Sequence, residues 1–250
     1  MFIDVHCHLD SNYYNDIDKV INNAKKNNVN KLIYNGCNKK SNKEVIKLIN
    51  KYDSVYGAVG YHPTELDDVN EKDYELLESL LNNKKIVAIG EIGLDYHYPD
   101  TNKEKQKYAF RRQLELAEKH NIPVIVHSRN AIQDTFDIMS EYNIKGVIHC
   151  FSGSVEMAKE FIKKGFLISV GGIITFKNAK NIIEVIKNID LSYILLETDS
   201  PYLTPEPFRK EQNEPMYIPI IASKIADILN VSVEEVSSKT TENAKRLFDF

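Results

Sequence analysis

Cysteine is scarce: Cys7, Cys37 and Cys150 are three in 250 residues, too few and too scattered for a disulfide framework or a CxxC metal knuckle. They are expected to pack as small apolar side chains in a reducing compartment. No run approaches the roughly 18 apolar residues of a spanning helix. The opening MFIDVHCHLD meets acid and histidine before a signal-peptide stretch could form, so the expected location is the cytoplasm, with no membrane partner. One sign of charge does not dominate either, since 32 Lys and Arg against 36 Asp and Glu leave −4. A protein that grips a polyanion by bulk electrostatics is usually basic, so any nucleic acid would have to be held locally. The lysine pairs Lys25 and Lys26, Lys39 and Lys40, Lys84 and Lys85, and Lys163 and Lys164 read as solvated outer faces.

What is present is alternation. Short apolar runs at Phe2 to His6, Lys31 to Gly36, Val55 to Gly60, Ile86 to Ile92, Pro123 to Ser128, Gly146 to Phe151, Phe166 to Gly171 and Ile194 to Asp199 read as strands buried on both faces. Between them lie helix start signals: Ser41 with Glu44 and Thr101 with Glu104 at capping-box spacing, and Ser154 as an N-cap. Phe110, Leu114 and Ala117 line one helix face, and Ala158, Phe161 and Ile162 another. With no low-complexity linker, eight such units predict a single α/β domain over residues 1–250, a (β/α)8 TIM barrel. A Pro-rich loop from Pro201 to Pro219 follows the eighth strand. Two helices then close the chain, from about Ile220 and about Val233, the second opened by Ser232 with Glu235 and broken near Thr240.

Reactive groups of such a barrel come from the C-terminal strand ends. The first strand ends in His6-Cys7-His8, whose imidazoles share a face of an extended chain. The fourth carries Glu91 in an apolar run, where an unpaired carboxylate is costly unless a cation lies near. The fifth, sixth and eighth end with His127, His149 and Asp199. Each has a bland reading as a polar residue at a strand end, but four histidines and two carboxylates at one end of five strands point to two divalent ions with Glu91 as the bridge.

Over nearly its whole length the chain resembles the TatD family of metal-dependent deoxyribonucleases, among the amidohydrolase-like barrels. The matching segments are FIDVHCHLD, GYHP, GEIGLDYH, PVIVHSR, GVIHCFSG, ISVGGIITFK, ETDSPYLTP, NEP and TENAKRLF. The resemblance implies that His6, His8 and Asp199 hold one ion, His127 and His149 the other, and Glu91 both. Imidazole and carboxylate ligands tolerate Mg, Mn, Zn, Co or Ni.

Asp199 would orient an activated hydroxide and collect its proton, coupled to its ligand role. Asp4 and Glu197, two residues before His6 and Asp199, are candidates to hydrogen-bond ligand imidazoles. At the mouth, Arg129, Lys177, Arg209 and Lys210 are candidate phosphate contacts, His62 a donor to a phosphate or leaving oxygen, and Tyr61, Phe176 and Tyr202 stacking faces. After Pro207, FRKEQNEP has Lys210, Glu211 and Gln212 where the family usually reads Gly, Lys and Arg, which weakens the case for tight polyanion binding.

The expected activity is hydrolysis of DNA phosphodiester bonds, as a 3′–5′ exonuclease on single-stranded ends, with no obligate protein partner. Amide, ester or lactone hydrolysis of small molecules, or deacylation of aminoacyl-tRNA, is the alternative on the same centre. A barrel that has lost catalysis would lack a ligand, and none is missing.

Overall fold

The computed structural model describes residues 1–249. Eight strands alternate with helices, and each strand pairs in parallel with the next in chain order. They are β1 (Phe2–Cys7), β2 (Val29–Asn35), β3 (Val55–Val59), β4 (Ile86–Asp95), β5 (Val124–Arg129), β6 (Gly146–Ile148), β7 (Leu167–Val170) and β8 (Ile194–Leu196). Past its last residue β8 returns to β1: the Asp199 N–H donates to the His6 carbonyl at 2.9 Å and the His8 N–H to the Ser200 carbonyl at 2.7 Å, closing the ring.

The helices are α1 (Ile17–Lys26), α2 (Lys39–Lys51), α3 (Glu71–Leu80), α4 (Lys103–His120), α5 (Ile132–Met139), α6 (Val155–Lys163), α7 (Lys180–Asn188), α8 (Ile218–Leu229) and α9 (Val233–Phe248). Ser154 and Ser232 cap α6 and α9 as expected. Two other caps sit elsewhere. Asn38 caps α2, with Ser41 as the returning member of the capping box, and Asn102 rather than Thr101 caps α4; Asn serves as well as Ser or Thr in accepting from the first free N–H groups. α9 runs unbroken through Thr240, whose hydroxyl is satisfied by the Val236 carbonyl one turn back. No single described helix is long and apolar enough to cross a membrane.

Two apolar layers hold the barrel. The outer one packs strands against helices and includes Phe110, Leu114, Ala117, Ala158 and Phe161, with Ile162 partly buried against it. The inner one takes a residue from every strand, among them Ile33, Ala58, Val87, Ile125, Val147, Leu167 and Leu195, and is capped by Ala244 and Phe248 of α9. The lower barrel is therefore a solid core, and the open end lies where the strands finish.

Candidate metal centre

All six expected ligands converge at the strand ends and are divided by the two oxygens of Glu91. Oε2 lies 3.4 Å from His6 Nε2 and 3.6 Å from His8 Nε2. Asp199 Oδ1 is 3.6 and 3.5 Å from the same two nitrogens, which are 3.3 Å apart. His6, His8 and Glu91 thus bring ligand atoms close enough to hold one ion, and Asp199 joins them through the same two imidazoles. Oε1 lies 3.0 Å from both His127 Nδ1 and His149 Nε2, themselves 3.3 Å apart.

Hydrogen bonds fix which nitrogen is free to ligate. His8 Nδ1 donates to the Asn35 carbonyl at 3.0 Å, and His127 Nε2 faces Asp95 Oδ2 at 3.1 Å, so each ring turns its lone pair toward Glu91. His149 Nδ1 sits 3.5 Å from Glu197 Oε1, within ion-pair reach but out of line for a hydrogen bond. Among the described residues, buried His6 Nδ1 has no hydrogen-bond partner. Imidazole lone pairs facing one another and two carboxylates across 3.0–3.6 Å repel unless cations or protons lie between them, and this donor set fits a pair of divalent ions.

The charge balance says the same. Burial opposes charge on Glu91, but the His149, His62 and His6 rings outweigh it and hold the carboxyl well below the usual range. Burial likewise opposes protonation of His149 and His8. The Glu91 and Glu197 carboxylates draw His149 well above the ordinary imidazole value, and Cys37, Asp199 and Glu91 do so for His8. His6, desolvated and stacked 3.9 Å from His149, is pushed down.

Local backbone aims these groups. Asp199 and Cys150 have left-handed φ of 54° and 44°, a conformation held at Cys150 by its N–H to Glu197 Oε1 at 2.7 Å. Gly93 has φ of 138°, and a Cβ there would come within 2.0 Å of the His127 carbonyl, so only glycine lets β4 lie this close to the ligand strand.

Sequence reasoning misplaced Asp4. The register of β1 breaks between Asp4 and Cys7, so the period of two does not carry from Asp4 to His6. Asp4 accepts from the backbone N–H of His6 and from the N–H and hydroxyl of Thr198, tying β1 to β8 without touching a ligand ring. Glu197 does come within 3.5 Å of the His149 ring, but out of line for the hydrogen bond expected of it. The residue missed is Asp95, the partner of His127. Its signal was present, since Glu91, Gly93 and Asp95 alternate along β4 and share a face. Cys37 is also no simple core residue: its Sγ is 3.6 Å from Glu91 Oε2 and 3.8 Å from His8 Nδ1.

Above the centre opens a cavity of about 720 Å³ lined by His8, His62, Glu91, His127, Arg129 and Tyr202, among others. His62 Nδ1 accepts from the Thr64 N–H at 3.2 Å, which leaves the proton on Nε2, 3.5 Å from Glu91 Oε1. Burial lowers its pKa, so it is a neutral donor facing the mouth. Arg129 is exposed, and no carboxylate of the described residues pairs with it. Lys177, Arg209 and Lys210 do not line the cavity. Arg209 instead stacks its guanidinium 3.9 Å from the Phe176 ring centre and donates to the Thr204 carbonyl, occupying that aromatic face itself. Tyr61 is buried, its hydroxyl bonded to the Asp73 carbonyl, and cannot stack on a ligand.

A TIM barrel with an imidazole and carboxylate centre at the strand ends is the framework of a metal-dependent hydrolase. The chain belongs to the TatD family: residues 3–249 match the family described as TatD related DNase. It is 42% identical over 252 residues to a metal-dependent hydrolase of Bacillus subtilis, YabD, with 99% of each chain covered. It is 35% identical to YcfH of Escherichia coli K12, another metal-dependent hydrolase, over 98% of this chain and 95% of that one. Among solved structures, YjjV, a TatD homologue from Escherichia coli, superposes with a TM-score of 0.95 at 30% identity, covering 100% of this chain and 98% of that one.

Proposed function

We propose that this chain is a divalent-metal-dependent deoxyribonuclease that trims single-stranded DNA ends from the 3′ side in the cytoplasm. The observation that carries the reading is the division of Glu91, each oxygen facing its own set of imidazoles beneath a wide mouth. The family description, TatD related DNase, supports the substrate class.

Divalent ions, when bound, supply Lewis acidity that activates water near neutral pH and offsets charge on a phosphoryl oxygen. The protein supplies position. His6, His8, Asp199 and Glu91 Oε2 would hold one ion, and His127, His149 and Glu91 Oε1 the other. Asp199, its carboxyl kept ionised against burial by His8, His149 and His6, orients the attacking water and takes its proton. His62 offers its Nε2–H to a phosphate or leaving oxygen, and Arg129 its exposed guanidinium to the backbone beyond.

The test is a chelator-stripped assay on a single-stranded oligonucleotide labelled separately at each end, with Mg, Mn or Zn restored singly. Ion-dependent shortening from the 3′ end, lost in His127→Ala, is expected. An intact oligonucleotide under every ion, from protein that binds two, would move the substrate to a small ester, lactone or amide.

A further inference from the structure

Three of the large side chains left exposed, Tyr13, Tyr98 and Tyr202, line this one mouth. They stand on opposite rims. Tyr13 follows β1 and Tyr202 follows β8, which are neighbours in the closed ring, whereas Tyr98 follows β4 and Arg129 ends β5. In a ring of eight, those two boundaries are four positions apart, with the Glu91 centre between them.

Each rim is a built face. The Tyr13 and Tyr202 hydroxyls are 2.6 Å apart and their rings meet edge to face at 5.7 Å. The Gln212 amide donates to the Tyr13 carbonyl at 2.8 Å, and the Asn213 amide donates to the Tyr202 carbonyl. Tyr202 also sets its ring against that of His8, centroids 6.3 Å apart, which places the face directly beside a metal ligand. Across the mouth, the Arg129 guanidinium lies 6.0 Å from the Tyr98 ring centre.

Resting on the nuclease reading above, we propose that the two rims clamp the two nucleotides joined by the scissile phosphate, one base on Tyr13 and Tyr202 and the other on Tyr98 and Arg129. Stacking on aromatic and guanidinium planes tolerates every base, because each has a π-face. It also holds a polyanion without a basic surface, which suits a chain of net charge −4. Gln212, standing where the family has a basic residue, props the Tyr13 wall instead of reaching for phosphate.

The test uses the ion-restored protein and a single-stranded oligonucleotide whose last linkage is a nonhydrolysable methylene phosphonate. It carries 2-aminopurine at the 3′-terminal or the penultimate position, a base whose fluorescence stacking quenches. Wild type is expected to quench both probes. Tyr98→Ala should relieve one and Tyr202→Ala the other, each weakening binding roughly 10-fold, while Tyr98→Phe and Tyr202→Phe, which keep the ring, preserve quenching. Variants whose melting matches wild type and whose quenching is unchanged at both positions overturn the clamp. If the wild type still shortens natural oligonucleotides in that case, the nuclease reading stands without it. A wild type that neither binds nor shortens any oligonucleotide overturns both.

Discussion

The two ends of the barrel follow opposite rules. At the lower end every strand contributes an apolar side chain, and Ala244 and Phe248 of α9 seal the layer. There each residue is satisfied by its neighbours, and the energy lies in packing. At the upper end, Glu91, His6 and His149 are almost as buried, yet His6 Nδ1 has no hydrogen-bond partner among the described residues, and Asp199 and Cys150 hold left-handed backbone. The difference separates what holds the fold from what does the chemistry. Local conflict is tolerated where something from outside, a cation, is to resolve it.

The largest expected effect tests that separation from above. Glu91→Gln keeps the shape of the side chain but removes the charge both ion positions share. Hydrolysis of any substrate the wild type turns over should fall by roughly 10⁴-fold, about 5.4 kcal/mol of barrier. Melting of the ion-free protein should move less than in a lower-barrel variant; an unchanged metal-dependent rate would sink the bridging role. From below, Phe248→Ala opens a void under the inner layer and should cost about 3 kcal/mol by urea unfolding. The folded fraction should keep its ion stoichiometry. A lost ion with intact stability would show that the two ends are not separable.

How much of this could be read from the chain follows the same divide. All eight strands were legible because buried parallel strands are continuous apolar runs, and the six candidate ligands stood out because polar residues interrupt those runs at one end. What period-two reasoning could not see was the register break in β1, which takes Asp4 away from His6. Nor could it see that Arg209 folds onto Phe176 outside the cavity lining, since a loop's side-chain partners are set by tertiary contact rather than by spacing. Asp95 lay within reach, two residues past Gly93 on the strand face that carries Glu91.

Asp95 also sharpens the comparison, because it is a fully polar contact that behaves like packing. Its side chain touches no expected ion position: Oδ2 faces His127 Nε2, and Oδ1 accepts from the His97 N–H. Asp95→Asn should leave the ring in place but weaken its tautomer preference, lowering ion affinity or activity roughly 10- to 100-fold. Isothermal titration with Mn or Zn reads the affinity directly. Equal affinity in the variant would reduce the Asp95 side chain to a turn contact, its Oδ1 accepting from the His97 N–H at 2.9 Å.

The smallest effect concerns protons. Without ions, the carboxylates around His149 and His8 hold both imidazoles well above their usual pKa, and His127 is raised by Asp95 and Glu91 against its burial. A ligating imidazole must be neutral, so these protons leave when ions enter. The sign follows: raising the pH removes the competitor, and apparent affinity climbs with pH through and above the ordinary imidazole range. Near pH 7, loading should release protons, measured as the dependence of titration heat on the ionisation enthalpy of the buffer. In Glu91→Gln the carboxylate that draws on all three rings is gone, so fewer protons should be released. Heats independent of buffer in the wild type would mean that the imidazoles are already neutral, and that the upper end tolerates its conflict without protons standing in for the ions.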